Sequence, residues 1–425
     1  MIANSARLRL LCLGPQNVWP PIDGGKEGIH GALGGLAKRC DITYAFPAPS
    51  GETIRQADVQ PGVHPIAVPW LPRDSAALIV SSTLRGQPYK FEKYSSADAV
   101  STFARAVPRQ AYDAIFCFHA HTARLGEGLR NTLGLNVPVL LREHNIEYEL
   151  VASYRRSLSP WLRAAAWPFE LLTRRAEQRS WARADAVAFL SDRDLATARA
   201  TGAKGRLLLA REGIPLPPRR PAVHPGANAP LLLLLNPKAG QSVLNLREFL
   251  HRCWSTVATD PRMCTTALQV TGVTTERLAE LVGMDITRLK SLRVQGLGFL
   301  PSLEEVLASS LGLISPTYVG GGIRKKILEA MAHQLPVVAT RLDIETCSYF
   351  ESGRNILELA EQPDSLAEQV AVLRDDPKAW LRLASQARDT VEVNASWDLF
   401  ATSVIDEIRF LKRCLDSGAN TKVRR

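Results

Sequence analysis

Short apolar runs alternate with longer segments of helical period along most of the chain, and this alternation restricts the fold more than any other feature. "LRLLCLG" (8–14), "DITYAFP" (41–47), "AIFCFHA" (114–120), "VPVLLREHN" (137–145) and "ADAVAFLS" (184–191) have the length and continuity of buried strands. Helical spacing fills 24–39 and 170–183. The pattern lapses at "REGIPLPPRRPAVHPGANAP" (211–230), whose proline and glycine mark a linker. It restarts with strands at 231–236, 266–272, 292–298, 311–315 and 336–340, and with helices near 243–258, 274–282 and 302–309. Strands alternating with helices predict parallel sheets covered on both faces. The expectation is an α/β protein of two Rossmann-like, doubly wound parallel-sheet domains facing a cleft. They span 1–215 and 216–395, and a terminal helix and tail occupy 396–425.

With 425 residues, 46% hydrophobic and 22% charged, each domain is long enough to bury its own core. A net charge of +10 favours anionic partners. The seven cysteines are scattered and form no CxxC pair, which argues against a disulfide framework or a zinc site and for a reducing cytoplasm. The opening "MIANSARLRLLCLGP" has too short an apolar run for a signal peptide core and reads as a first strand. No stretch reaches the ~18 apolar residues that span a bilayer. Any membrane contact is therefore expected to be peripheral, on the inner face of the plasma membrane.

"VGGGIRKKILEAMAHQLPVVAT" (319–340) sets a problem of charge. A helix start carries positive potential, where each cation is disfavoured by roughly 0.3–1 kcal/mol. Yet Arg324, Lys325 and Lys326 crowd the predicted first turn. The loop follows a strand, where open parallel sheets bind ligands. Glycines Gly321 and Gly322 let a backbone approach closely, and free N–H groups at a helix start hold anions. A diphosphate among these cations would resolve the conflict; so would a solvated lysine-rich face. Ile323, Ile327 and Met331 fall on one face, and Glu329 roughly opposite with Lys326 beside it. That pair is either an exposed i,i+3 contact or a cation for phosphate beside a carboxylate for a ribose diol.

A second glycine turn, "PPIDGGKEGIHGALGGLAKR" (20–39), opens a helix at Gly24 and Gly25 without the GxGxxG spacing. Glu143-His144-Asn145 ends another strand, with His119 and His121 as rival strand-end histidines. No HExxH, no close His/Cys cluster and no GxSxG appear, so no bound metal is expected. Residues 151–183 hold seven arginines against Glu170 and Glu177, with Trp161, Trp167 and Trp181 interleaved. This suits an anionic membrane surface, or a core face backed by solvated arginine.

These segments resemble the retaining nucleotide-sugar glycosyltransferases of family 4, which have the two-domain GT-B fold. The nearest branch is the bacterial polysaccharide one with the segment read here as "GGGIRKKILEAMAHQLPVVAT". "SGRNILELAEQPDSLAEQVAVLRDDP" (352–377), "ASWD" (395–398), "PPIDGGKEGIHGALGGLAKRCDITYAF" and "EHNIEYEL" extend the resemblance over most of the chain. It implies an acceptor-side N-terminal domain, a donor-binding C-terminal domain, and a terminal helix crossing back to the first. It implies that Glu329 holds the nucleotide ribose, that Arg324 and Lys326 face the diphosphate, and that Gly24 and Gly25 approach it. His144 would lie near the transferred sugar, and Gly298 and Phe299 against the base. The reaction would be metal-independent and cofactor-free, moving a hexose from a nucleotide diphosphate sugar to a glycan or lipid-linked glycan, without nucleic acid as partner. Three positions depart from the family pattern. Gly321 replaces the first glutamate of a Glu-x7-Glu pair, Glu212-Gly213 replaces Asn-Gly, and only Lys238 stands for an Arg and Lys pair. An inactive nucleotide-binding scaffold stays open. A nucleic-acid-binding protein is the other alternative, for which no reader motif is found.

Overall fold

The computed structural model describes residues 7–70, 76–156, 158–320, 322–359 and 363–417. The chain divides into two compact units, one formed by Met1–Gly213 with Trp397–Arg425 and one by Ile214–Ser396.

The first unit is built on seven parallel strands: β1 (Leu8–Leu13), β2 (Cys40–Ala48), β3 (Val63–Pro69), β4 (Ala114–Phe118), β5 (Val139–Glu143), β6 (Ala186–Phe189) and β7 (Arg206–Leu209). Their order is β3-β2-β1-β4-β5-β6-β7. Leu10 of β1 pairs with Ile42 on one side and Ala114 on the other. The unbroken apolar runs have a direct cause: both faces of the sheet are covered, so alternate residues serve opposite cores. Leu10 and Cys12 join Phe116 and Phe118 in one cluster. Leu11 and Leu13 join Ile115 and Cys117 in the other.

The first of these clusters is closed by the helix Trp397–Asp416, whose Phe400, Val404, Ile408 and Leu411 recur at helical spacing and pack beside Ile29, Leu33 and Leu36 of the helix Gly24–Ala37. Glycine permits the close approach. A Cβ at Gly35 would stand 2.6 Å from the Trp397 carbonyl oxygen. Arg206 pairs with Glu407 and Lys412 with Asp113, tying the helix to the sheet.

The second unit carries β8 (Leu231–Leu234), β9 (Leu268–Thr271), β10 (Val273–Thr274), β11 (Val294–Gly298), β12 (Gly312–Ser315), β13 (Val337–Ala339) and β14 (Leu357–Glu358). The order is β10-β11-β9-β8-β12-β13-β14. Every pairing is parallel except β10 with β11.

Several expectations need correction. The helix expected near 243–258 is three pieces, Gly240–Phe249, a π-turn over Leu250–Trp254, and Ser255–Val257. Strand β3 escaped notice because Pro65 and Pro69 interrupt its pattern, and it is tolerated because β3 is an edge strand. The histidine and asparagine of "LLREHN" lie beyond β5, which ends at Glu143. Residues 210–230 form neither helix nor strand.

Candidate active site

In the second unit the loop after β12 is shaped by Asn245, from the helix Gly240–Phe249. Its Oδ1 accepts from the amides of Tyr318 and Val319 at 2.9 Å each, and its Nδ2 donates to the Val319 carbonyl at 2.9 Å. Gly320 and Gly322 follow with φ of 135° and 73°, conformations that a side chain disfavours. Gly321 lies outside the described residues.

The helix begins at Lys325, one residue later than the pattern suggested, and Arg324 is its N-cap in an extended conformation. Arg324 is not a surplus cation. Its Nε donates to Oδ1 of Asp343 at 3.2 Å, while the Asp343 Oδ2 accepts from the Ser315 hydroxyl at 2.7 Å. Asp343 is 1% exposed, so this carboxylate needs a counter-charge. Part of the opening problem therefore has an internal answer. Lys326 is half-buried beside the pair. Burial pulls its ammonium down to about 8, against the attraction of Asp343 and with repulsion from Arg324. A desolvated cation at a helix start is a strong attractor for an added anion. Ile327 and Met331 face the core as expected, and Glu329 is half-buried on the same helix.

Gly298 ends β11 with φ of 73°, and Phe299 beyond it is 84% exposed. β11 and β12 run parallel with β9 and β8 between them. Gly298 and the Arg324 loop therefore leave the same edge of the sheet, roughly 14 Å apart at ~4.8 Å per strand.

In the first unit, the helix Gly24–Ala37 is capped by Asp23, whose Oδ1 accepts from the Lys26 amide at 2.9 Å. Gly24 and Gly25 are exposed in its first turn, and a Cβ at Gly24 would meet nothing within 4 Å. The glycine that touches the strand-end cluster is Gly28, one turn later: a Cβ there would stand 3.0 Å from Glu212 Oε1 and 3.8 Å from His144 Cε1.

His144 is 9% exposed, and its Nε2 meets the Arg142 guanidinium. Arg142 is fully buried and donates to Glu212 Oε2 at 2.5 Å. Burial pulls the guanidinium down, and Glu212 holds it up. Glu212, which stands where the family pattern has asparagine, thus has a dedicated partner. Arg142 was missed although its signal was available, a charge inside the apolar run "VLLRE". Glu143, on the opposite face of β5, accepts from Trp181 Nε1 at 3.0 Å. Burial pushes its carboxyl well above the usual carboxylate range. The two rival histidines lie close by, with the rings of His119 and His144 at 3.9 Å and those of His119 and His121 at 5.1 Å.

The arginine-rich stretch divides. Trp181 is buried, whereas Trp161 and Trp167 are 71% and 52% exposed. Arg155 pairs with Glu170, and Arg174 lies over the Tyr148 ring. Among the described residues no helix is long and apolar enough to cross a membrane.

Residues 243–376 match the protein family described as "Glycosyl transferases group 1". No curated protein matches the sequence. Among solved structures, sucrose-phosphate synthase from Thermosynechococcus elongatus superposes with a TM-score of 0.67 at 16% identity, covering 96% of this chain and 100% of that one. Anabaena HepE in complex with UDP gives 0.63 at 17%, covering 95% and 100%. A glycosyltransferase from Rickettsia africae gives 0.58 at 12%, covering 96% and 99%. Residues 243–376 are thus similar to group 1 glycosyltransferases, and the pair of seven-stranded sheets has the GT-B fold.

Proposed function

We propose that the protein is a retaining, family 4-type glycosyltransferase that moves a sugar from a nucleotide diphosphate sugar to a glycan or lipid-linked glycan, in the biosynthesis of a cell-envelope or exported polysaccharide. The observation that carries this reading is the pairing of Lys326 with Arg324 as cations at a helix start, on the ligand-binding edge of a parallel sheet. Gly320 and Gly322 take positive φ in the loop that precedes this helix. In this reading Lys326 and Arg324 take the diphosphate, Glu329 takes the ribose hydroxyls, and Gly298 with Phe299 supports the base. Gly24 and Gly25 leave room for phosphate approach, and His144 offers its imidazole to a sugar hydroxyl. Leaving-group charge that builds as the glycosidic bond breaks is met by fixed cations, the electrostatic contribution that dominates many enzymes. The step then needs no metal at the diphosphate.

UDP is the first probe, since HepE is solved with it. At ~100 times its dissociation constant a ligand adds ~2.7 kcal/mol, about 5–11 °C in melting temperature for a unit of this size. Lys326→Ala is expected to abolish that shift, and Lys325→Ala to leave most of it. Equal losses from both would refute a specific grip. UDP binding without turnover of any UDP-sugar would favour an inactive scaffold.

The exposed Trp161 and Trp167 among arginines support a second element of the reading, peripheral contact with an anionic membrane on the cytoplasmic side.

A further inference from the structure

Three side chains of the first unit that the transfer reaction does not use converge on one point. His119 follows β4, His121 sits in the short turn Ala120–Thr122, and Glu147 opens the helix Glu147–Arg156. One donor-type atom from each lies within 4.8 Å of the others. Only the two histidines stand close in sequence; Glu147 lies far along the chain from them.

Their hydrogen bonding is incomplete. His121 is 3% exposed, and both of its ring nitrogens are buried without a hydrogen-bond partner. His119 Nδ1 is buried and unbonded as well. Buried polar atoms left without a partner are costly and call for an explanation. The helix Tyr89–Ser95 lies over them, with the Tyr94 ring 4.8 Å from that of His121. From the same helix Lys90 Nζ donates to both Glu147 oxygens, at 2.9 and 3.0 Å. The Lys90 side chain is 51% exposed and has solvent to move into.

We propose that His119, His121 and Glu147 bind one divalent transition-metal ion of the zinc type, with a fourth position open to water and with Lys90 as the cation that neutralises Glu147 when the metal is absent. Two imidazoles and a carboxylate are a donor set that zinc accepts, with bonds of ~2.0–2.2 Å. Tetrahedral placement then sets the donor atoms roughly 3.4 Å apart. Two nitrogen donors among three disfavour calcium and magnesium, which take oxygen. All three ligands belong to the first unit, and the proposal gives the metal no step in the transfer reaction.

The test is a zinc titration of the chelator-stripped, full-length protein against a chromophoric chelator, without nucleotide, so that its outcome is separate from the donor reading. One equivalent per chain and a raised melting temperature are expected. His121→Asn and Glu147→Gln should weaken binding by more than the ~10–100-fold that loss of a supporting outer group costs. Lys90→Met should tighten it about tenfold, equivalent to ~1.4 kcal/mol. This variant keeps the proposal open to refutation even if a ligand variant fails to fold. Cobalt in place of zinc should give visible bands that His121→Asn removes. Unchanged affinity in Lys90→Met overturns the proposal. So does binding that survives both ligand variants or disappears with Cys264→Ser, the exposed thiol.

Discussion

Replacing Glu212 with alanine tests the buried polar centre of the first unit most directly. The side chains of Arg142 and Glu212 are 0% and 3% exposed, and no solvent remains to screen the charge that stays behind. Around Arg142 the rings of Phe400, Phe118 and Trp397 lie with centroids 5.1, 5.7 and 5.9 Å from the guanidinium carbon. They soften the burial of a cation by ~1–2 kcal/mol but do not replace a carboxylate. Breaking a buried ion pair from one side costs about 3–5 kcal/mol. For a unit of this size that is roughly 6–20 °C in melting temperature. Urea unfolding followed by circular dichroism measures it. Arg142→Leu should cost a similar amount, because it strands Glu212. The double variant Arg142→Leu/Glu212→Leu should recover most of the loss, since an apolar pair of similar volume is often no worse than a buried ion pair. A loss under ~1 kcal/mol in Glu212→Ala, or a double variant no better than either single one, would refute the claim that the two charges exist for each other.

Gly35→Ala should destabilise by about 1–3 kcal/mol in the same unfolding assay, because its Cβ would meet a backbone oxygen of Trp397 that cannot rotate away. Lys326→Met should melt higher than the parent below pH 8. In the folded chain Lys326 titrates near 8 rather than 10.5, so its charged form is penalised; the folded state sheds its proton first, and the advantage of methionine shrinks as pH rises from 8 to 10.5. A constant difference across that range would show that Lys326 is not desolvated. Trp161→Ala/Trp167→Ala should reduce cosedimentation with anionic vesicles while leaving UDP binding unchanged. No reduction would remove the membrane contact from the reading.

Much of the fold could be read from the chain because buried parallel strands need continuous apolar runs, and "LRLLCL" or "AIFCF" has few other uses. Short edge strands were harder. β7 and β14 have only four and two residues, and prolines break β3. The cationic segment was visible through its glycines and charge. That Arg324 already holds Asp343 was not, because the partner arrives from a separate helix on the far side of β13 in sequence. The histidine cluster was half legible. "FHAH" stands out, but Glu147 joins it only through the packing of a later helix, which no local spacing reports.

The helix Trp397–Asp416 belongs to the first unit although nearly two hundred residues separate it from Gly213. On the ribosome, then, the earliest strands must wait. Ile29, Leu33 and Leu36 stay uncovered until the last segment emerges, while the intervening unit has its entire chain available sooner. The first unit to be synthesised is thereby the last that can be completed, and a chain cut short after Ser396 would expose apolar surface to aggregation.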